Sequence, residues 1–390
     1  MVPPRATPGG GGDGGGDSVD AGTVTLFLAG DVMIGRGIDQ VLPTSVPPSL
    51  HEPHVRDARR YVELAERENG PIPAPVSLEY PWGDVLDELD RADPDARIVN
   101  LETAVTTAGQ PWPGKGIHYR THPANVGSLV SAGVDVAGVA NNHVLDWGRA
   151  GLRETLETLE AAGLRPAGAG SDREEAGAPA TVDLDGRGAR VLVVALASPS
   201  AGVPREWAAT PDRSGVAYLP ELSEAAVRDV GRRLARVRRE DDLVVASLHW
   251  GSNWGYGIPA DQRRFARLLV DEAGVDVVHG HSSHHPKGLD VHRGHLILYG
   301  CGDFLNDYEG IGGHEEYRPE LVLSYLPVLE AGTGRLERLE MVPMRIRRFR
   351  LGRAGPEAGR WMRDTLERES RRLDGVDVGL ADDGRLLLRP

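Results

Sequence analysis

Short apolar runs of β-type recur along this chain, and stretches with helical periodicity separate them. Most of the runs are apolar without interruption, which is typical of strands that are covered on both faces. Strands and helices that alternate in this way predict a layered α/β fold with central β-sheets flanked by helices. The predicted strands are 23–29, 96–101, 134–140, 190–198, 242–249, 275–279, 295–299 and 321–326.

The helical stretches carry their apolar residues on one face. In 151–162, Leu152, Leu156 and Leu159 follow the spacing i, i+4 and i+7, and Gly163 is a suitable residue to end the helix. The other predicted helices and the short β-like end are 223–239, 260–273, 361–373 and 385–388.

A single domain with additions is expected for the 390 residues, because no internal repeat and no clear linker divides them. Residues 1–22 are rich in glycine and lack an apolar segment, so we expect a disordered arm and not a signal peptide. The domain itself is expected at 23–350, with an insertion at about 41–92 that carries one or two helices. Residues 351–390 are expected to pack on the same domain.

Composition narrows the classes of function. The formal net charge of −14 argues against nucleic-acid binding, because an acidic surface repels the phosphate backbone. The single cysteine, Cys301, excludes an internal disulfide framework and a cysteine-rich zinc module. Because no segment reaches the roughly 20 apolar residues of a membrane helix, we expect a soluble, cytoplasmic protein without direct membrane insertion.

Polar side chains that can bind metal ions follow the first three predicted strands. Asp31 follows a glycine, Glu102 has two carboxylate oxygens that can bridge two cations, and Asn142 offers a neutral oxygen. His143 can donate or accept a proton at neutral pH, and Asp146 can orient its imidazole. Taken singly, these residues are also consistent with turns and helix caps, so their combination carries the interpretation.

Histidines dominate the end of the predicted strand series. His249 ends one strand, where a single histidine is also consistent with a structural role. Six of the thirteen histidines lie between His279 and His295, a density that favours a transition-metal site. Together these strand ends supply the mixed oxygen and nitrogen ligands that pairs of Mn, Zn or Fe ions favour. The sequence contains neither a P-loop nor a G-x-S-x-G motif.

At these residues the sequence resembles the CapA family, the poly-γ-glutamate capsule-synthesis proteins with a metallophosphoesterase-like (calcineurin-like) fold. The matching motifs follow the family's order and cover about residues 23–330. They are Gly30-Asp31-Val32-Met33, Asn100-Leu101-Glu102, Ala140-Asn141-Asn142-His143, His249-Trp250-Gly251, Gly280-His281 with His284, and Gly302-Asp303-Phe304.

The resemblance implies a site for two divalent metal ions, with Glu102 as the bridge and His143 as the proton-transfer residue. The implied ligands are Asp31, Glu102, Asn142, His249, His281 and His284. The sequence departs from the family's pattern at three places. Asp31 is followed by Val-Met where phosphoesterases typically have a histidine, and Asp303 stands where asparagine is common. Serines precede His284, which leaves His285 as an alternative ligand.

The leading hypothesis is a metal-dependent hydrolase of capsule-polymer metabolism that cleaves a phosphate ester. His143 would protonate the leaving oxygen, oriented by Asp146. The anionic part of the substrate, a small molecule or a polymer, would bind the basic residues Lys115, Arg120 and Lys287, although a solvated surface explains these three equally well. One alternative is an amide hydrolase or transferase that acts on a γ-glutamyl polymer. Another is a non-catalytic accessory subunit whose partner is a capsule-polymer ligase.

Overall fold

The computed structural model describes residues 22–184, 186, 188–373 and 375–390, so the predicted arm lies outside the described residues except for Gly22. The helices of the described residues are α1 (Arg36–Val41), α2 (Arg59–Asn69), α3 (Val85–Ala92), α4 (Gly127–Ser131), α5 (Gly148–Ala161), α6 (Arg173–Ala176), α7 (Glu224–Ala235), α8 (Ala260–Ala273) and α9 (Pro356–Arg371). The strands are β1 (Thr23–Val32), β2 (Ala96–Leu101), β3 (Ala104–Val105), β4 (Arg120–Thr121), β5 (Val136–Gly138), β6 (Arg165–Ala167), β7 (Ala169–Gly170), β8 (Ala180–Asp183), β9 (Arg190–Ala197), β10 (Gly215–Val216), β11 (Leu243–His249), β12 (Val277–His281), β13 (Leu289–His292), β14 (His295–Leu298), β15 (Asp303–Leu305), β16 (Leu321–Glu330), β17 (Leu336–Arg347), β18 (Arg350–Arg353), β19 (Gly379–Leu380) and β20 (Leu386–Leu388).

Two large sheets form the centre of the fold. The first has the order β19-β20-β17-β16-β1-β2-β5-β6, with β15 beside β1 and β18 beside β17. Its part β1-β2-β5-β6 is parallel, and the strands from β16 onward are antiparallel. The second sheet has the order β13-β14-β12-β11-β9-β8, with four parallel strands between antiparallel edges. The predicted α/β class is therefore confirmed, with sheets of mixed direction.

Side chains of the second sheet alternate between two hydrophobic clusters. In β9, Val191 and Val193 belong to the cluster that the second sheet shares with the first, whereas Leu192 and Val194 belong to the cluster beneath α7 and α8. The strands β11, β12 and β14 alternate in the same way. The second sheet thus lies between the first sheet and two helices, which explains why its strands are apolar on both faces.

The same alternation places polar side chains between the two sheets. Ser247 and His249 of β11 share the face of the inter-sheet apolar residues, and so do His279 and His281 of β12. The parallel register pairs Ser247 with His279 and His249 with His281. A hydrogen bond of 2.9 Å from His279 Nε2 to the carbonyl oxygen of Ala29 joins this face to β1. The ends of the two sheets therefore meet around polar residues.

The predicted strands and long helices are confirmed, with changed bounds. The run at 134–140 shortens to β5, and α9 begins at Pro356 instead of Trp361. The sequence prediction missed β17, although it is a long strand, because Glu337 and Arg338 interrupt its apolar pattern. Within the described residues, no helix is both long enough and apolar enough to span a bilayer.

Gly30 in β1 allows a close approach that positions Asp31. A Cβ at Gly30 would lie 1.8 Å from the carbonyl oxygen of Gly302, the same oxygen that accepts a hydrogen bond of 3.0 Å from Asp31 N. We expect Gly30→Ala to force these segments apart and to lower the free energy of unfolding by roughly 2–3 kcal/mol, measured by urea denaturation. The control is Gly138→Ala in β5, whose Cβ would meet its nearest atom at 3.4 Å. Equal losses in both variants would contradict this account.

Candidate metal centre

Three carboxylates are buried together, two of them at the carboxyl ends of β1 and β2 and the third at the first residue of β15. Asp31, Glu102 and Asp303 are at most 2% exposed. Asn100 Nδ2 donates a hydrogen bond of 2.7 Å to Asp31, and the backbone N–H of Ser282 donates one of 3.1 Å. Burial and the neighbouring Asp303 raise the pKa of Asp31 to about 7, while burial and Asp31 raise the pKa of Glu102 well above its usual value. Without a cation, the centre therefore favours the protonated, neutral forms of Asp31 and Glu102.

A first group of possible ligands consists of Asp31, His249 and His281, whose ligand atoms lie within 4.8 Å of one another. The Nδ1 atoms of His249 and His281 are 2.9 Å apart, and His281 Nδ1 is 3.6 Å from Asp31 Oδ1. Asn142 Oδ1 lies 3.0 Å from His249 Nε2. Atoms that bind one ion at about 2.1 Å are themselves about 3–3.5 Å apart, so the separations among the two Nδ1 atoms and Asp31 fit a shared cation. The Asn142 oxygen instead contacts the other nitrogen of the His249 ring.

A second group consists of Asp31, His284 and Asp303. His284 Nδ1 lies 2.8 Å from Asp303 Oδ1, and Asn306 Nδ2 donates a hydrogen bond of 2.8 Å to the other oxygen of Asp303. Burial lowers the pKa of His284, but the charge and hydrogen bond of Asp303, together with the charge of Asp31, outweigh burial and raise it. The alternative ligand His285 stacks instead on the ring of Tyr317, with ring centroids 4.5 Å apart. The geometry thus favours His284 over His285.

Asp303 is not among the ligands predicted from the sequence. A signal was present, because Gly302-Asp303 repeats the Gly30-Asp31 pattern directly before an apolar residue. The parallel pairing of β1 with β15 places Asp303 beside Asp31 in register. The histidine that typically follows the first aspartate of phosphoesterases is absent from this sequence. The site instead has Asp303 as a second aspartate beside Asp31.

Both groups share Asp31, whereas the resemblance implied that Glu102 is the bridge. Glu102 Oε1 lies 3.7 Å from the Nε2 atoms of His143 and His249. Glu102 Oε2 is buried and has no hydrogen-bond partner among the described residues. A buried acceptor without a donor is costly unless a cation or water satisfies it. The orphaned oxygen and the mixed oxygen and nitrogen donors therefore fit divalent metal ions.

His143 lies beside this centre in a network of its own. Its Nδ1 is 2.6 Å from Asp146 Oδ2, and Lys115 contacts the other oxygen of Asp146. Burial raises the pKa of Asp146, but His143 and Lys115 outweigh burial and lower it below the usual value. The ionised Asp146 accepts the Nδ1–H of His143, which leaves Nε2 with a lone pair that faces Glu102. Because burial lowers the pKa of His143 to about 4, this imidazole is neutral at pH 7.

The three predicted substrate-binding residues lie in different places. Lys115 Nζ is 2.9 Å from His143 Nδ1, beside the centre. Arg120 stacks on Trp147, with its guanidinium carbon 3.6 Å from the ring centroid, and burial lowers its pKa. Lys287 is 4% exposed, and burial lowers its pKa to about 8. Of the three, Lys115 is the residue that the structure brings to the proposed proton-transfer group.

A buried ionic network around Arg36 reaches His143 through the ring of Tyr119. Arg36 is 4% exposed and forms ion pairs with Asp307 and with Glu52 of the predicted insertion. Its guanidinium carbon lies 4.4 Å from the ring centroid of Tyr119, and the Tyr119 ring meets the His143 ring edge-on at 4.5 Å. The insertion is thus connected to the candidate site through one arginine and one aromatic ring.

The fold and the strand-end ligands place the chain among α/β proteins with a candidate metal centre. The family model "Bacterial capsule synthesis protein PGA_cap" matches residues 25–308, and the chain belongs to this family, as its resemblance to CapA proteins indicated.

Three relatives illustrate the range of similarity. A "Probable polyglutamine synthesis accessory protein" of Mycobacterium tuberculosis (strain ATCC 25618 / H37Rv) is 46% identical over 94% of this chain and 96% of its own length. The "PGA biosynthesis protein CapA" of Bacillus subtilis (strain 168) is 28% identical over 71% of this chain and 67% of its own. The "Capsule biosynthesis protein CapA" of Bacillus anthracis is 24% identical over 73% and 60%, respectively.

Protons should compete with cations at this centre. The pKa of Asp31 is about 7 in the folded protein and about 3.9 in an unfolded chain, so its proton stabilises the metal-free fold fully below pH 4. That contribution is lost as the pH rises through 7, where the ionised carboxylate becomes available to a cation. We expect the apparent affinity for Mn²⁺ to be about tenfold lower at pH 6 than at pH 8. Thermal unfolding at graded Mn²⁺ concentrations measures this difference, and an affinity independent of pH would contradict it.

Proposed function

We propose that this member of the capsule synthesis family is a di-metal hydrolase, with a metallophosphoesterase-like arrangement of its sheets, that cleaves a phosphate ester in anionic-polymer metabolism. The observation that supports the proposal most directly is the pair of ligand groups that share Asp31. A centre of this type with His143 beside it combines charge neutralisation with proton transfer.

The residues of the chain divide between two cation positions. His249 and His281 would hold the first cation, and His284 and Asp303 would hold the second, with Asp31 common to both. Asn142 would orient the His249 ring by accepting a hydrogen bond from its Nε2. Glu102 would be a further ligand, because its Oε1 lies 3.7 Å from His249 Nε2 and its Oε2 has no hydrogen-bond partner among the described residues. When bound, divalent ions such as Mn, Zn or Fe supply Lewis acidity that polarises a phosphoryl oxygen and lowers the pKa of water.

His143 exchanges a proton with the reacting group through Nε2. Asp146 fixes the tautomer by accepting the Nδ1–H, and Lys115 holds Asp146 in place. The neutral ring first takes up a proton from the solvent, and an anionic substrate favours that step because negative charge raises the pKa of an imidazole. The protonated ring then donates to the leaving oxygen, and Asp146 stabilises the positive charge.

Anionic substrates fit the basic side chain next to the centre. Lys115 has a 16% exposed side chain, so it is open to a ligand while it contacts Asp146. Burial lowers the pKa of Lys115, and the opposite charge of Asp146 counteracts that effect. Arg120 remains a proposed contact for a more distant part of a polymer, whereas the burial of Lys287 argues against a direct contact there.

The family supports a second candidate function, in which the chain binds the polymer or a polymer ligase without turnover. The name of the Mycobacterium tuberculosis relative includes the words "accessory protein". In this alternative the cation centre anchors acidic groups of the polymer. Its own test is binding of the purified chain to poly-γ-glutamate and to the ligase in the absence of any reaction product.

Activity measurements with matched variants distinguish these functions. We expect Mn²⁺-loaded protein to hydrolyse p-nitrophenyl phosphate or bis(p-nitrophenyl) phosphate, and His281→Ala and Asn142→Ala each to lower kcat/KM by at least about 100-fold. His292→Ala serves as the control, since His292 pairs with Asp271 at the surface. Activity that survives in the double variant would refute the mechanism.

Poly-γ-glutamate is tested in parallel as the amide substrate. Release of glutamate without phosphatase activity would assign amide cleavage instead. Metal content well below one equivalent per chain, with no turnover, would favour the accessory role.

A further inference from the structure

Two buried polar residues behind the first cation position have no part in the proposed reaction. Ser247 and His279 are fully buried between the sheets. Neither is a proposed ligand, yet Ser247 Oγ lies 2.8 Å from His281 Nε2 and 3.3 Å from His279 Nδ1. His279 Nε2 in turn lies 2.9 Å from the carbonyl oxygen of Ala29. A continuous hydrogen-bonded chain therefore runs from the backbone of β1 to a proposed ligand.

The carbonyl group at one end fixes the direction of every hydrogen bond in this chain. A carbonyl oxygen only accepts, so His279 Nε2 carries the hydrogen. The contacts of His279 are a carbonyl and a hydroxyl, neither charged, and an unpaired imidazolium buried there would be costly, so the ring is neutral. His279 Nδ1 is then a lone pair, and it accepts the single hydrogen of the Ser247 hydroxyl.

The direction continues to the ligand. Because the Ser247 hydroxyl has donated its hydrogen to His279, its oxygen accepts from His281, and His281 Nε2 carries the hydrogen. His281 Nδ1 is therefore the lone pair, and it lies 3.6 Å from Asp31 Oδ1. The opposite direction would turn the lone pair of His279 Nε2 toward the carbonyl oxygen of Ala29, a repulsive contact.

His249 is fixed in the same sense by Asn142. Asn142 Oδ1 accepts from His249 Nε2, so His249 Nδ1 is also a lone pair, 2.9 Å from the lone pair of His281 Nδ1. Two such lone pairs repel each other in a buried space unless a cation binds both. The hydrogen bonds behind the ligands thus prepare the nitrogen atoms that face the first cation position.

We propose that Ser247 and His279 are positioning residues that hold His281 in the Nε2–H tautomer, so that Nδ1 binds a divalent cation together with His249 Nδ1 and Asp31. This inference rests on the cation site of the proposed function. It traces the tautomer of His281 back to the carbonyl group of Ala29, which lies in the same strand as Asp31. Tautomers differ only in the place of one proton, so the relay acts without a change in charge.

Calorimetric titration with Mn²⁺ alone, on the full chain, tests the relay. We expect Ser247→Ala to weaken the tighter binding event about 10- to 100-fold, and Ser247→Thr, which keeps the hydroxyl, to retain most of the affinity. Ser324→Ala is the matched control, because Ser324 is a buried strand serine whose hydroxyl has no hydrogen-bond partner among the described residues. Melting temperatures verify that each variant is folded.

Histidine tautomers are measured independently in the metal-free wild type. Long-range ¹H–¹⁵N correlation spectra of ¹⁵N-histidine-labelled protein, with His281→Gln for assignment, should show His281 with hydrogen on Nε2. Hydrogen on Nδ1 overturns the relay even if Ser247→Ala does not fold. Wild-type affinity in a folded Ser247→Ala variant overturns the relay but leaves the cation site standing. A wild type that binds no Mn²⁺ overturns both proposals.

Discussion

The burial of Asp31, Glu102 and Asp303 between two sheets is the constraint on which the rest of the site depends. Carboxylates without solvent repel one another: Asp303 raises the pKa of Asp31, and Asp31 and Asp303 together raise the pKa of Glu102. Amide and backbone donors satisfy part of the demand at Asp31 and Asp303, but one oxygen of Glu102 has no donor among the described residues. The surrounding imidazoles are neutral where they are packed against each other, so they do not balance this charge. The natural counterion for such an arrangement is a cation with a charge greater than one.

Parallel strands explain how residues distant in sequence meet here. The carboxyl ends of β1 and β2 in one sheet and of β11 and β12 in the other lie together, so that each contributes polar residues to the same space. Successive side chains of a strand point to opposite faces of the sheet. In the second sheet one face packs under α7 and α8 and the other faces the first sheet, so a shift by one residue would move a side chain from one space to the other. The same periodicity that buries valines therefore sets the positions of the histidines.

The sequence contains enough information for the fold class and for most of the candidate ligands, because apolar runs and the polar residues that end them are local patterns. It does not contain the cross-strand pairing that puts Asp303 beside Asp31, which follows from β15 folding back against β1. The position of Arg120 on Trp147 likewise depends on tertiary packing and not on the surrounding residues. Long strands that carry charged residues, such as β17, are missed because two exposed residues in succession break the alternation of buried and exposed positions. The choice between His284 and His285 needs the direction of each ring, which only the packing of Tyr317 reveals.

Arg36 links the predicted insertion to the interior of the protein through an ion pair. Its guanidinium group is sealed inside the protein, and one of its two carboxylate partners, Glu52, comes from the insertion. A buried arginine that loses one of its carboxylate partners destabilises the packing beneath Tyr119. Relatives with a shorter segment here are therefore expected to have a different residue in place of this arginine. Segment and arginine are thus expected to vary as a unit in evolution, and an engineer who trims one must also redesign the other.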